Sequence, residues 1–218
     1  MKFYFISGIP GSGKSTASKI LAKQLGIYHA LGTDSIRAMV QRYFEKEDCP
    51  VLFESSYNAY KHAPDGTENP VLWGFFKQAE LLKPAIKGIF KRQVAENEDL
   101  ILEGVHLVPG YYHVPEEVEF HHILIVITDR EKYRNQILSQ GRGGAEEKAK
   151  AIDYCLEFQD FLIERAKEFN NFHEETHGKN SRDSRPVTII ENNGTIEDLV
   201  DEILTKTNLK NKTSGDNQ

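Results

Sequence analysis

The sequence predicts one α/β domain in three layers, with helices on both faces of a five-stranded parallel sheet, and three observations predict it. Short apolar runs alternate with amphipathic stretches from the first residues to about residue 205. No linker, repeat or change in composition divides the 218 residues into two cores. Hydrophobic residues make up 39% and charged residues 28%, which is ordinary for a globular chain of this length with one substantial core.

In chain order, residues 2–7 (KFYFIS) are an apolar, aromatic run ending in a Gly/Pro/Ser turn, as a buried strand does. Helical spacing follows from Ser15, with Ile20, Leu21 and Leu25 on one face and Gly26 as the stop. Residues 27–32 read as a short second strand, and a second helix opens near Asp34. Pro50, Pro64 and Asp65-Gly66 make much of 45–69 a loop. From Pro70 to about Asn97 apolar residues recur every three or four positions, a long amphipathic helix with Pro84 as the place for a bend. Residues 100–103 and 122–128 are compact apolar strands. Residues 129–140 and 145–169 read as helices, 187–192 as a fifth strand, and Ile196 to Leu204 as a closing helix. The domain is expected to span 1–208, with 209–218 (LKNKTSGDNQ) a disordered tail.

Composition narrows the function classes. A net charge of −6 argues against a protein that binds nucleic acid through a broad basic face, though a few local cations suffice for a small anion. Cys49 and Cys155 are far apart and lack metal spacing, so two thiols in a reducing cytoplasm are expected, with no disulfide framework or zinc site. The apolar run at the N-terminus is too short for a secretory or membrane segment, and no other stretch approaches a span.

Gly8-Ile-Pro-Gly-Ser-Gly-Lys14-Ser15 satisfies G-x-x-x-x-G-K-[ST] and lies between a predicted strand and a predicted helix. Glycines at 8, 11 and 13 let the backbone, Ser12 included, curl so that N–H groups point at phosphate oxygens. Lys14 reaches the β- and γ-phosphates, Ser15 offers a hydroxyl to Mg²⁺, and the helix running through Thr16 adds the positive end of its dipole. The expected ligand is ATP with Mg²⁺, in a P-loop NTPase fold.

Asp34 lies just beyond the second strand, at the sheet edge where ligands of open α/β sheets bind. It fits a base that takes the proton of an attacking hydroxyl, or a plain helix cap; Arg37 at helical spacing fits a clamp on an anionic acceptor. LILE at 100–103 ends in Glu103, as a Walker B strand does, and that carboxylate is expected to hold Mg²⁺ through a water molecule. His106 fits a substrate contact or a loop hydrogen bond. Arg130, Arg134 and Arg142 bracket the glycine-rich 140–144 segment, a short lid; Arg142 is the best placed for phosphoryl transfer, while Arg130 and Arg134 fit equally a solvated helix face. Asn192, after the fifth strand, fits an adenine contact or a turn.

SGIPGSGKST, GTDSIR and ILEGVHLVPG together resemble the 2-phosphoglycerate kinase family of P-loop kinases, with EGVHLVPG at 103–110 the most specific piece. The likeness runs from residue 1 to about 205 and includes WGFFKQ and ENNGTIEDLVDEI. It implies transfer of the γ-phosphoryl of MgATP to the free hydroxyl of 2-phosphoglycerate, giving 2,3-bisphosphoglycerate. It also implies Lys14 and Ser15 on nucleotide and metal, Asp34, Arg37 and His106 toward the acceptor, and the sheet order of nucleoside monophosphate kinases, 2-3-1-4-5. Members often carry an extra region before the P-loop, so the expectation here is the kinase domain alone. The alternatives are a polynucleotide-kinase-like or zeta-toxin-like kinase, which shares an Asp after strand two, and a nucleotide-binding switch that transfers phosphate to no metabolite.

Overall fold

The apolar run at the N-terminus becomes β1 (Lys2–Gly8), the middle strand of the sheet in this computed structural model, which describes residues 1–139, 145–177 and 186–209. Around it lie β2 (His29–Gly32), β3 (Leu100–Glu103), β4 (Glu119–Val126) and β5 (Val187–Glu191), all parallel, in the order β2-β3-β1-β4-β5. The predicted order is the observed one. Helices α1 (Lys14–Leu25), α2 (Thr33–Val40), α3 (Pro70–Glu96), α4 (Arg130–Ser139), α5 (Ala145–His177) and α6 (Ile196–Lys206) connect and cover the strands.

Alternation along β1 sends its side chains to opposite faces. Tyr4 and Ile6 pack with Ala17 and Leu21 of α1 and with Leu199 and Ile203 of α6. Phe3 and Phe5 face the other way, onto Leu82, Ile86 and Phe90 of α3. Phe75 of α3 stacks on Phe158 of α5 with centroids 3.7 Å apart, joining those two helices into one layer. Gly26, at φ 67, ends α1 in the left-handed conformation, and a reciprocal Thr195–Asp198 capping box starts α6. No described helix is long and apolar enough to cross a membrane.

Several boundaries differ from expectation. β4 starts at Glu119, three residues early, because Glu119, Phe120 and His121 continue the register against Lys2, Phe3 and Tyr4. α5 runs eight residues past 169. Its extension has no apolar period, but Asn170 there brackets Val187, donating to its carbonyl at 3.0 Å and accepting from its N–H at 2.7 Å. Gln159 brackets Ile127 at the end of β4 in the same way, at 2.9 and 2.7 Å. Helix α3 passes through Pro84 unbroken, and the 41–69 segment contains three short 3₁₀ turns at Gln41–Tyr43, Pro50–Phe53 and Ala59–His62. Leu209, expected as the first residue of the tail, is buried among α6 and β-sheet residues, and its N–H donates to Leu204 O at 2.8 Å. The packed chain therefore includes it, and 210–218 lie outside the described residues.

Candidate functional site

The carboxyl ends of β1, β2 and β3 converge on one row, where Ile6 pairs with Glu103 and Glu103 with Gly32. Just past this row the chain turns three times: into the Gly8–Gly13 loop, into α2, and into the 104–112 segment.

The loop is held from several sides. Gly8, Gly11 and Gly13 have φ of 147, 79 and 91°, and a Cβ on Gly8 would lie 2.5 Å from Ile125 O. Ser12 is fully buried; its N–H donates to Ile9 O at 3.1 Å, and its carbonyl accepts from Asn192 Nδ2 at 2.9 Å. Its Oγ has no hydrogen-bond partner among the described residues. Ser12 thus shapes the loop from beneath. Tyr133 of α4, which sequence reasoning missed, donates its hydroxyl to Pro10 O at 2.7 Å. Nothing in a lone tyrosine 123 residues downstream signals that contact.

Gly13 begins α1 with no side-chain cap, which leaves the helix N-terminus open as an anion site, with Thr16 exposed in its first turn. Lys14 is 8% exposed and folds its Nζ back onto Ile9 O at 3.1 Å. Burial pushes its ammonium below the ordinary value, and the carboxylates of Glu103 and Asp34 pull it back up. Ser15 Oγ donates to Glu103 Oε1 at 3.0 Å across 88 residues. This hydroxyl and carboxylate are hard oxygen donors of the kind a Mg²⁺ ion takes.

Asp34 is 71% exposed, and it does not cap α2: Gly32 is the cap residue and makes no side-chain cap hydrogen bond. The capping alternative is thereby removed. Arg37, one turn on and 18% exposed, donates Nη1 to Leu52 O at 2.7 Å and sets Nε 3.5 Å from Asp34 Oδ1, an ion-pair contact without hydrogen-bond geometry.

His106 is corrected from a substrate contact to a support. The ring is 1% exposed and both nitrogens are taken, Nδ1 by Thr33 Oγ1 at 2.8 Å and Nε2 by Gln78 Oε1 at 3.0 Å. Gln78 Nε2 donates to Val51 O at 2.6 Å and to Glu54 O at 3.1 Å, so its Oε1 must accept and His106 Nε2 must carry the proton. Nδ1 then accepts from the Thr33 hydroxyl. Burial lowers the His106 pKa to about 4, keeping the ring neutral. One chain of contacts therefore joins the residue before Asp34 to the segment whose Leu52 carbonyl holds Arg37. Gly104, at φ 151, lets the 104–112 segment approach Thr33; a Cβ there would sit 1.7 Å from Thr33 Oγ1.

Arg134 and Arg130 pair with Asp153 and Asp160 of α5 and so bridge α4 to α5. That pairing ties both side chains to α5, and the expectation of Arg134 as an acceptor contact finds no support in it. Arg142 and the expected lid at 140–144 lie outside the described residues. Asn192 lines a cavity of about 220 Å³ beside the loop, together with Gly11, Gly13, Ile127, Tyr133 and Gly194.

Comparison with known proteins shows the family. A family profile described as an AAA domain matches residues 5–155. The chain belongs to that family. The chain is 36% identical over 169 residues to a 2-phosphoglycerate kinase of Pyrococcus horikoshii, covering 76% of this chain and 56% of that one. A 2-phosphoglycerate kinase of Pyrococcus furiosus is 29% identical over 209 residues, covering 93% and 64%. The chain thus spans a little over half the length of the curated relatives it matches. An unliganded sugar kinase from Janibacter sp. HTCC2649 superposes with a TM-score of 0.51 over 98% of both chains at 13% identity, which supports the fold. The resemblance carried by EGVHLVPG and the parallel five-stranded architecture both stand.

Proposed function

We propose that this protein transfers the γ-phosphoryl group of MgATP to a hydroxyl of a small anionic acceptor, with 2-phosphoglycerate as the acceptor and 2,3-bisphosphoglycerate as the product. The observation that carries the reading is the placement of Asp34. It is an exposed carboxylate, not spent as a cap, and close enough to Lys14 for its charge, with that of Glu103, to oppose the lowering of the ammonium's pKa by burial. A base beside the phosphate cradle is what separates a transferase from a passive binder. The kinship with 2-phosphoglycerate kinases supplies the acceptor's name.

In this reading the N–H groups around Gly11, Gly13 and Ser15 receive the β-phosphate, and Lys14 leaves the Ile9 carbonyl to neutralise charge between the β- and γ-phosphates. Asn192 borders the cavity assigned to the adenine. Ser15 and Glu103 would hold Mg²⁺, Glu103 through a water molecule; bound with the nucleotide, that ion offsets charge on the phosphate oxygens. Asp34 accepts the acceptor's hydroxyl proton as the oxygen bonds to the γ-phosphorus, and the bond to the β–γ bridging oxygen breaks to release ADP. Arg37 holds the acceptor's anionic group beside Asp34. His106 acts behind them, through Thr33 and Gln78. Arg142 is assigned a transition-state role by its glycine-rich sequence context alone. The two free thiols, Cys155 buried and pushed up to about 12, fit a reducing cytoplasm.

The test is transfer from γ-labelled ATP to a panel of 2-phosphoglycerate, 3-phosphoglycerate, glycerate and oligonucleotides with free 5′-hydroxyls. The expected result is a labelled bisphosphorylated acid from 2-phosphoglycerate. Label on oligonucleotide ends alone would favour the polynucleotide-kinase-like alternative, and ATP binding without transfer to any acceptor would favour a switch.

A further inference from the structure

At the opposite end of the sheet from the phosphate cradle lies a cavity of about 540 Å³. That volume is in the range of ligand pockets, roughly 300–1,000 Å³. Phe120 lines it and pairs in register with Phe3, at the start of β1, whereas the cradle begins at Gly8, where the strand ends. The remaining walls come from the second half of α3, the 110–116 segment and Phe169 and His173 of α5. Among the described residues it shares with the site above only the 110–112 end of the segment that begins at Gly104.

Its charge distinguishes it. Lys83 and Lys87 are one turn apart on α3, so they emerge on one face, and both line the cavity. Among the described residues no carboxylate pairs with either. On the same helix Lys77 faces Glu80 and Arg92 faces Glu96. Lys83 instead sits 4.0 Å above the ring of Tyr111, which holds the ammonium at the wall without neutralising it. Among the described residues Glu116 is the one carboxylate of the lining, set against two ammonium groups and the rings of His113 and His173. In a chain of net charge −6 this is a locally positive recess.

The walls are also fixed in place. Tyr112 donates its hydroxyl to His106 O at 3.1 Å, which keeps its ring as a wall. Gly110, at φ 72, lies against Phe169 so closely that a Cβ would be 2.7 Å from that ring.

We propose that this cavity is a second ligand site, which takes a small multiply charged anion of the phosphate or bisphosphate class on Lys83 and Lys87. Compact ammonium groups on long stems suit tetrahedral phosphate oxygens, which need no bidentate fork. The aromatic floor excludes water on the other side and strengthens the attraction. The proposal does not depend on the transferase reading.

Amide NMR of the full ¹⁵N-labelled chain, with the cradle kept full by saturating ADP, tests it by titration with inorganic pyrophosphate. Saturable shifts are expected at the amides of Gly110, Tyr112 and His113. The Lys83→Glu/Lys87→Glu double variant should weaken that response at least about tenfold, the loss expected for charge-assisted hydrogen bonds. Its Gly11, Gly13 and Ser15 amides should still respond to ADP, which shows that the variant is folded. Three results would overturn the proposal: no shift at 110–113, the same affinity in the double variant, or an equal response to sodium chloride at matched ionic strength.

Discussion

The phosphate cradle and the proposed acceptor side lie close enough for the Asp34 charge to act on Lys14, yet they are built in opposite ways. The cradle is made of backbone, within eight consecutive residues, and needs only glycine at positive φ and a helix with an open N-terminus. The acceptor side is made of side chains from distant elements: Thr33 touches His106 across 73 residues, His106 touches Gln78 across 28, and Arg37 reaches Leu52 across 15. A backbone site tolerates change around it but no change of its glycines. A relayed site can be weakened at any link, and the cradle should not notice. The variants below separate the two halves on that basis.

The largest effect is expected for Lys14→Ala, which removes charge compensation at the transferred phosphoryl group. Turnover should fall by at least about 10³-fold. A smaller fall, measured by steady-state ADP release with acceptor present, would break the assignment of the cradle as the catalytic half.

Gly104→Ala should cost roughly 3 kcal/mol or more of stability, because the new methyl meets Thr33 Oγ1 in a backbone conformation unfavourable to L side chains. Urea unfolding measures it directly. A variant as stable as the parent would mean that the 104–112 segment does not press on α2 as described.

Acid should undermine the relay. Buried His106 and His122 have pKa values lowered to about 4 and about 3, against about 6.5 for the unfolded chain. Between those values the unfolded chain binds protons that the folded chain refuses. Their contribution is therefore complete above about pH 6.5 and is lost as pH falls toward 4 for His106 and toward 3 for His122, at about 1.4 kcal/mol per unit for each ring. His106→Asn should flatten part of that slope in unfolding measured from pH 7 to 4.5. An unchanged slope would place the protonation elsewhere.

Gln78→Leu strands His106 Nε2 and the carbonyls of Val51 and Glu54, for about 2 kcal/mol. It should also raise the KM for the acceptor and leave that for ATP alone. Arg37→Ala gives the smallest and most selective change expected, roughly a tenfold rise in acceptor KM with ATP KM within twofold. Equal shifts in both constants would merge the two halves into one.

The same contrast explains what was legible in the sequence. Strands β1 and β3, the P-loop and the positions of Asp34 and Glu103 announce themselves through local pattern: an apolar run, a glycine spacing, a carboxylate at a strand end. His106 and Gln78 do not, since a buried polar side chain looks like any other until its partners are placed. Tyr133 on the loop and Asn170 on Val187 were hidden for the same reason. The polar end of α5 and the polar start of β4 lacked the period that marks an element, and tertiary hydrogen bonds decided them instead. Leu209 looked like the first residue of a polar tail because its burial depends on the turn after α6, where Asn208 takes φ 56 and the Leu209 N–H donates back to Leu204 O.

Asp34 is where the two halves meet, and Asp34→Asn tests the account most directly, because it keeps the size of the side chain and removes its ability to take a proton. ATP affinity, measured by calorimetry, should stay within about twofold, while single-turnover transfer to 2-phosphoglycerate falls by about 10²–10⁴-fold. Transfer close to that of the parent, with ATP affinity intact, would contradict the assignment of Asp34 as the base and with it the division between cradle and acceptor side.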